Sequence, residues 1–485
     1  MIQIILSDIA YKNDIYPIVK SFYPQEEILF AEHSVSANYC IRIEISLSKI
    51  EITITDSNEG VIRTFTETPY DIKQRSEFKN VLRRQLYGML STLSKKELPW
   101  GILIGIRPTK LIYEMLEKGM AEEDIYKRME EEYLCSREKI NISILIAKRE
   151  IKLLDELNYK NGYSLYVGIP FCPSTCLYCS FTSYSVESHK DLVESYISAL
   201  ETEIRYGATC FPNKKLTTVY FGGGTPTTLS AGQLDRLLGL TRELYDFTYV
   251  REFCVEAGRP DSITREKLEV LKKWGVNRIS INPQSMEQRT LDLIGRRHTI
   301  EEVYEAFKLA REIGHDNINM DIIIGLPGET PRDVENTLAR IKELDPDSLT
   351  VHTLAIKRGS RLCDEKESYK AIHGQNVTKM MELSMEFAND NNYLPYYLYR
   401  QKNMADNLEN IGYARYGKEG LYNILIMEER QTILALGAGG MSKFVSHKEH
   451  FVERVDNVKS LKDYIGRIDE MIKRKKDFIS SNPGI

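Results

Sequence analysis

The sequence lacks the features of a secreted or membrane-spanning protein. No apolar run in its 485 residues approaches the ~20 residues that a transmembrane helix needs. The first residues show no basic stretch ahead of an apolar core and no small-residue cleavage site, so we recognise no secretory signal. We therefore expect a cytoplasmic protein without membrane insertion.

The chain also has little excess charge. Its formal net charge of −5 gives no general reason to expect a nucleic acid as partner. Internal repeats and low-complexity tracts are lacking, and a chain of this length predicts two or three domains.

Cysteine is scarce, and its distribution is uneven. Only eight cysteines occur in the chain, too few for a disulfide scaffold, yet Cys172, Cys176 and Cys179 fall within eight positions as C-x3-C-x2-C. Thiolates favour iron–sulfur clusters or zinc. Three thiolates on one loop can hold three irons of a cubane cluster, which leaves the fourth iron open to a small molecule, as at a catalytic metal centre.

The cysteine triplet alone leaves three alternatives open. A zinc site needs a fourth ligand, and the nearest candidates, Cys210 and Cys254, are far along the chain. An electron-transfer cluster normally uses four cysteines. The three residues could also be buried cysteines that cluster by chance.

Residues 1–160 predict an accessory α+β domain. Two alternating isoleucine runs, at 41–45 and 50–54, surround a plausible turn at Ser48-Lys49 and predict an antiparallel hairpin. Helices should follow, one from Pro108 to Gly119 and another around residues 140–158. Asn161-Gly162 marks a boundary.

Residues 161–358 alternate short apolar strands with amphipathic helices. The pattern predicts six βα units, which fit a parallel sheet with crossover helices but fall short of the eight that close a full barrel. We expect strands near residues 164–170, 217–222, 251–257, 278–284, 318–325 and 348–355. Chemically capable residues follow these strands, at the edge where parallel-strand enzymes place their sites. Residues 359–485 are predicted to form a mostly helical region covering the site.

A glycine run, Gly222-Gly223-Gly224, ends the second of these strands and precedes Thr225-Pro226-Thr227. Alone it indicates only a tight turn. Beside the cysteine loop it suggests that a ligand contacts the main chain closely, because glycine has no Cβ.

Three stretches together carry a family resemblance: Leu165–Cys172, the GGGTPT run and Asp321–Gly328. Over roughly residues 164–445 the chain resembles the radical S-adenosylmethionine (SAM) family of oxygen-independent coproporphyrinogen III oxidases (dehydrogenases). The segments 399–403, 411–413 and 105–110 resemble its HemZ-type branch.

The resemblance implies an α/β fold, the partial (βα)6 TIM-like barrel, with a [4Fe–4S] cluster on the three cysteines and one or two SAM molecules. It places Tyr166, Gly223 and Glu256 at the first SAM and Tyr178 near the second. It assigns no catalytic side chain. The other positions that match SAM contacts are Gly224, Thr225, Gln284, Arg296, Asp321, Ala355 and Met441.

The implied reaction converts two propionates of coproporphyrinogen III to vinyl groups. The partners would be this porphyrinogen, an unidentified electron donor and an unidentified electron acceptor. Four substrate carboxylates predict basic residues at the mouth of the site. The candidates are Arg296, Arg297, Arg400 and Lys402.

The sequence departs from the patterns of the related families in two places. Ser180-Phe181 follows the third cysteine, where the best-characterised dehydrogenases have a further cysteine two positions on. Tyr422-Asn423 stands where the related heme chaperones have His-Asn, which argues against that branch. A heme chaperone and a radical SAM enzyme acting on another substrate, such as RNA, remain the alternatives.

Overall fold

The structure is a computed structural model in which the chain divides into two units. It describes residues 1–31, 37–46, 49–56, 60–67, 75–103, 105, 107–357, 359–364, 376–401, 404, 408–448 and 451–482. The N-terminal unit comprises Met1–Ala147 with Arg400–Leu408, and the barrel unit comprises Lys148–Tyr399 with Glu409–Ile485. The first unit thus ends 13 residues before the predicted boundary at residue 160, within a continuous helix that the local sequence gives no reason to divide.

The N-terminal unit contains a five-stranded sheet in the order β2-β1-β3-β4-β5. The predicted hairpin is confirmed: β3 and β4 are antiparallel, and Ile43 faces Ile52 in the buried layer. Its strands are β1 (Ile2–Leu6), β2 (Ile28–Phe30), β3 (Tyr39–Ile45), β4 (Lys49–Asp56) and β5 (Gly60–Glu67).

The described part of the N-terminal unit also contains five α-helices. They are α1 (Lys12–Phe22), α2 (Arg75–Ser94), α3 (Thr109–Glu117), α4 (Glu122–Tyr133) and α5 (Arg137–Leu157), the last continuing into the barrel unit. Helix α3 starts at Thr109, one residue after the predicted start at Pro108, which is its N-cap residue. Proline suits the start of a helix, where its missing N–H has no partner to bond. Apolar side chains of α1 and α2 share one buried core with the sheet.

The barrel unit is built on an eleven-stranded sheet in the order β14-β15-β13-β12-β11-β10-β9-β6-β16-β17-β18. All six predicted parallel strands are present, and together with the family match below they confirm the partial barrel. They are β6 (Gly162–Ile169), β9 (Lys215–Gly223), β10 (Glu252–Glu256), β11 (Arg278–Ser280), β12 (Ile318–Ile324) and β13 (Ser348–Thr353).

The amphipathic helices predicted between these strands are also confirmed. They are α6 (Lys190–Gly207), α7 (Ala231–Leu244), α8 (Arg265–Lys273), α10 (Ile300–Ile313) and α11 (Pro331–Leu344). Ser230 and Thr299 cap two of them through reciprocal side-chain bonds with the third helical residue, and this pattern is readable in sequence. Short elements complete the central part: β7 (Phe171–Cys172), β8 (Tyr184–Ser185), α9 (Gln288–Leu293) and α12 (Arg361–Asp364).

Helices predominate over strands in the predicted C-terminal region, but most of this region belongs to the barrel unit. Its strands extend the barrel sheet at both edges, and β16 adds a further parallel strand beside β6. Its elements are α13 (Val377–Asp390), β14 (Leu394–Tyr399), β15 (Asn410–Ala414), α14 (Leu421–Glu428), β16 (Thr432–Leu436), β17 (Met441–Ser446), β18 (Phe451–Asp456), α15 (Leu461–Gly466) and α16 (Ile468–Ser481). Every residue of β16 is buried, so the strand has no alternation to distinguish it from a short helix. Across the described ranges no helix is long and apolar enough to cross a bilayer.

Candidate iron–sulfur and cofactor site

The predicted site residues converge at the carboxyl edge of the parallel sheet. Glu256 ends β10, Asp321 lies within β12, and Ala355 comes just after β13. The cysteine loop and the glycine run follow the neighbouring strands β6 and β9, which pair in parallel up to Ile169 and Gly223. Parallel pairing therefore gathers residues that are up to 189 positions apart in sequence, counting from Tyr166 to Ala355.

The cysteine loop starts at the short strand β7, which pairs with β8. Cys176 is 9% exposed, and Cys172 and Cys179 are partly exposed. Burial raises the pKa of Cys172 to about 11 and also raises that of Cys179. Cluster assembly must therefore displace protons from these thiols, so cluster loading should depend on pH.

The donor set is three thiolates on one loop, which can hold three irons of a cubane cluster. Within the parts of the chain that the structure describes, no three His, Cys, Asp or Glu side chains converge as ligands of one metal ion. A structural zinc site needs such convergence, whereas each thiolate of a cubane binds a different iron.

The glycine run forms a cradle against the cysteine loop. The Gly224 N–H donates to the Ile169 carbonyl at 2.8 Å, and the Thr225 N–H donates to the Phe171 carbonyl at 2.7 Å. A Cβ on Gly224 would lie 2.5 Å from the Phe171 carbonyl oxygen and 2.9 Å from the Cys172 sulfur. The Thr225 hydroxyl lies 3.6 Å from the same sulfur. Only glycine allows this approach.

Gly223 requires glycine because of its backbone conformation. Its φ of +114° lies in the region that side chains disfavour, and a Cβ there would lie 3.3 Å from the Tyr166 hydroxyl. The structure thus brings together Tyr166 and Gly223, two of the three residues predicted at the first SAM.

Three tyrosines stack beside Glu256. The Tyr220 and Tyr422 ring centroids are 4.4 Å apart and 21° from parallel, and Tyr166 lies 6.2 Å from Tyr220. The Tyr220 hydroxyl donates to Glu256 at 2.6 Å. Burial, together with the nearby Asp321 carboxylate, raises the pKa of Glu256 to about 7.

The pKa of Asp321 is shifted in the opposite direction, below its ordinary value. Burial favours its neutral form, but hydrogen bonds from His352 and Asn319 outweigh this effect and hold its pKa below the ordinary value. The Asn319 amide donates to it at 2.7 Å. Asp321 is therefore an ionised acceptor beside a carboxyl, Glu256, that is partly protonated near neutral pH.

Gln284 joins this group through its backbone. Its N–H donates to the Asp321 carbonyl at 3.0 Å, and its φ of +67° is uncommon for a residue with a side chain. Its side-chain oxygen is buried without a hydrogen-bond partner among the described residues, as are Ser280 Oγ and Asn282 Oδ1. Buried polar atoms normally have partners, so these orphaned atoms fit a polar cofactor such as SAM.

The Arg296 side chain is buried, with 4% exposure, and contacts Tyr178 of the cysteine loop. It donates to the Gly258 carbonyl at 2.9 Å, to the Asn282 carbonyl at 2.6 Å and to the Tyr178 hydroxyl at 3.3 Å. It therefore positions Tyr178 and two strand-end loops, and its role as a SAM contact stays a prediction.

The remaining predicted contacts are less closely tied to the site. Ala355 is buried next to Leu354, which shares an apolar cluster with Leu177 of the cysteine loop. Met441 is 46% exposed and follows the turn at Gly437, whose Cβ position would be 2.6 Å from the Gly168 carbonyl oxygen. That turn ends β16, so the glycine-rich segment lies beside the strand that leads into the cysteine loop.

Sequence reasoning missed Tyr220 and Arg259. Tyr220 is two residues before the glycine run, and strand alternation places it on the same face as Gly222, which was a usable signal. Arg259 donates to the Cys176 sulfur from a loop 83 residues away, and no local pattern marks it.

Comparison with known proteins decides the family. The model of the radical SAM superfamily matches residues 166–341. The oxygen-independent coproporphyrinogen-III oxidase-like protein HemZ of Bacillus subtilis is 39% identical over 472 residues, which cover 95% of this chain and 94% of HemZ. The chain belongs to the HemZ-type family of radical SAM proteins.

Two further relatives bear on the function of this HemZ-type chain. The heme chaperone HemW of B. subtilis is 40% identical over 195 residues, 40% of this chain and 51% of HemW. The structure of the Escherichia coli radical SAM enzyme coproporphyrinogen III oxidase (HemN) matches with a TM-score of 0.52 and 25% identity over 66% of this chain and 72% of that chain. Radical SAM membership implies a [4Fe–4S] cluster and SAM, and the cysteine loop and glycine cradle fit both.

Of the four residues predicted to bind carboxylates, Arg400 needs correction and Lys402 is not among the described residues. Arg400 is buried in the N-terminal unit, where it donates to the Leu103 carbonyl and its guanidinium lies 5.7 Å from the centre of the Trp100 ring. This burial opposes the predicted role, which requires an accessible guanidinium.

Proposed function

We propose that the protein oxidatively decarboxylates coproporphyrinogen III to protoporphyrinogen IX in anaerobic heme biosynthesis. Cys172, Cys176 and Cys179 would hold the [4Fe–4S] cluster, and Gly223, Glu256 and Tyr166 would contact the first of up to two SAM molecules. When bound, these groups supply a radical that removes hydrogen from a substrate carbon.

The observation that carries this proposal is an arginine-lined cavity of about 870 Å³ beside the cysteine loop. Its wall includes the loop residues 173–175, Arg296, Arg297 and Arg361, together with two carboxylates, Glu187 and Asp292. Arg297 is exposed, and Arg361 donates to the Thr175 carbonyl at 3.3 Å. Guanidinium groups bind carboxylates through paired hydrogen bonds, and the substrate carries four carboxylates.

In each half-reaction, loss of hydrogen from the propionate β-carbon leaves a substrate radical. Cleavage of the carbon–carboxylate bond then releases CO2 and forms the vinyl group, and one electron passes to an external acceptor. Arg297 and Arg361 would hold the carboxylates. The tyrosine stack and Glu256 would keep water from the cofactor end of the site.

The heme chaperone is the second candidate, because HemW matches the shared core closely. Tyr422 argues against it. Burial and neighbouring acidic groups keep the pKa of Tyr422 well above its ordinary value, and its ring is held in the tyrosine stack. A neutral, stacked phenol is a poor ligand for heme iron compared with the histidine it replaces.

The deciding experiment is an anaerobic assay of reconstituted protein with coproporphyrinogen III, SAM and a reductant, with an electron acceptor present. Mass spectrometry should reveal a product lighter by two HCOOH units, formed through a mono-vinyl intermediate. About two SAM molecules should be consumed per substrate, one for each propionate. Tight heme binding without vinyl product would instead support the chaperone.

Two arginine variants test the cavity. Arg297→Ala and Arg361→Ala should each raise KM for the porphyrinogen about tenfold, since a lost charge-assisted hydrogen bond is worth about 1.5–3 kcal/mol. SAM cleavage without substrate should stay unchanged. Arg332→Ala is the matched control, because that arginine is 79% exposed on α11 and does not line the cavity. Unchanged KM in both cavity variants would place the carboxylates elsewhere.

A further inference from the structure

One buried arginine directly contacts a cysteine of the cluster loop. Arg259 is 3% exposed and lies in the turn after β10. Its Nη1 donates to the Cys176 sulfur at 3.7 Å, within hydrogen-bond range for sulfur. The same nitrogen donates to the Ser174 hydroxyl at 3.2 Å.

Asp261 holds the guanidinium in place. Arg259 Nε donates to one carboxylate oxygen at 2.9 Å and Nη2 donates to the other at 2.7 Å, the bidentate geometry of a strong ion pair. These hydrogen bonds outweigh the effect of burial and keep the pKa of Asp261 below its ordinary value, so the carboxylate is ionised at neutral pH. The pair therefore presents a fixed cation to Cys176 and a fixed anion behind it.

The cysteines differ in what faces them. The Cys172 sulfur lies 3.6 Å from the Thr225 hydroxyl, whereas Cys176 accepts a hydrogen bond from the Arg259 guanidinium. Arg259 also acts on Cys172 through its charge, and Lys357 acts on Cys179 in the same way, but neither donates to those sulfurs. Reduction adds one negative charge to a cluster and its thiolates. A cation or N–H donor at a ligand sulfur stabilises that added charge, whereas a nearby carboxylate opposes it.

We propose that Arg259 is a positioning residue that raises the reduction potential of the cluster through Cys176, and that Asp261 limits this increase. The proposal rests on the cluster of the proposed function but not on its substrate. It predicts shifts of opposite sign when the two partners of one ion pair are neutralised in turn. A purely structural role would make both variants change in the same direction, because either substitution breaks the same pair.

The test is an anaerobic redox titration of the reconstituted cluster, followed by electron paramagnetic resonance without SAM or substrate. At the wild-type midpoint potential, Arg259→Gln should have at least a tenfold lower ratio of reduced to oxidised cluster, equivalent to a shift of about 59 mV for one electron. Asp261→Asn should have a higher ratio than wild type.

Two further variants complete the test. Arg259→Lys retains the charge and should have a ratio between those of wild type and Arg259→Gln; it replaces Arg259→Gln if that variant fails to hold four irons. Arg278→Gln is the control, because this arginine is equally buried but bonds to Ser348 and Asn317 at the opposite ends of the strands. Its ratio should equal that of wild type.

Shifts of the same sign in Asp261→Asn and the Arg259 variants, or no shift in either, would overturn the proposal. The result is independent of the decarboxylation assay. A protein that turns over no porphyrinogen can still show the opposed shifts, and an active enzyme can fail to show them.

Discussion

Adding one methyl group at Gly224 should separate the glycine cradle from the cysteine loop. The new Cβ would stand 2.5 Å from the Phe171 carbonyl oxygen and 2.9 Å from the Cys172 sulfur. Both neighbours belong to the loop backbone or to a cluster ligand, so neither can rotate away as a flexible side chain could. Relief requires the loop to move by about 1 Å, the difference from an ordinary van der Waals contact.

The magnitude follows from the contacts that this movement disturbs. Overpacking in a close-packed site costs about 1–3 kcal/mol. Weakening the two backbone hydrogen bonds from Gly224 and Thr225 adds about 0.5–1.5 kcal/mol each. If about 1.4 kcal/mol of this total is added to the activation free energy of SAM cleavage, the rate of cleavage falls about tenfold.

The assay measures iron and sulfide per chain after anaerobic reconstitution, and then the rate of 5′-deoxyadenosine release. Gly224→Ala should lose cluster, cleave SAM at least tenfold more slowly, or both. Gly232→Ala is the matched control: it lies in α7 with nothing within 4 Å of its Cβ position, so it should be fully active and about 0.5–1 kcal/mol more stable. Full cluster content and normal SAM cleavage in Gly224→Ala would refute the cradle.

Three other predictions follow from the same site. Wild-type protein should hold about four irons and four sulfides per chain. Alanine at Cys172, Cys176 or Cys179 should abolish this content, whereas Cys210→Ala and Cys254→Ala should keep it. Iron and sulfide analysis distinguishes the cluster from a zinc site. Gly223→Val should retain the cluster but release little 5′-deoxyadenosine, because its φ of +114° and the nearby Tyr166 leave no room for a side chain. Burial raises the pKa of Glu256 from 4.5 to about 7, so the stability that its proton contributes is present below pH 4.5 and lost as the pH rises through 7. Glu256→Gln should therefore leave the free energy of unfolding nearly unchanged at pH 4 and raise it by about 1–3 kcal/mol at pH 8, as measured by denaturant titration. Equal effects at both pH values would show that burial does not raise the pKa of Glu256.

The sequence by itself determined the repeating architecture and the place of the chemistry. Period-two and period-3.6 apolar patterns are local, so each parallel strand of the six βα units and each crossover helix was predictable within a few positions, whereas the short strands β7 and β8 were not predicted. The cysteine spacing and the glycine run are also local. Since parallel strands align their carboxyl ends, strand order in sequence was enough to predict that these motifs meet.

Only the tertiary structure decided which distant segments complete the site. Strand β16 joins β6 across more than 250 residues, and its uniformly buried side chains carried no periodic signal. Tyr422, which the sequence marked only as a missing histidine, becomes the partner of Tyr220 in the tyrosine stack. Arg259 reaches Cys176 because two strand ends lie side by side, and such a contact depends on side-chain packing between loops rather than on any local pattern.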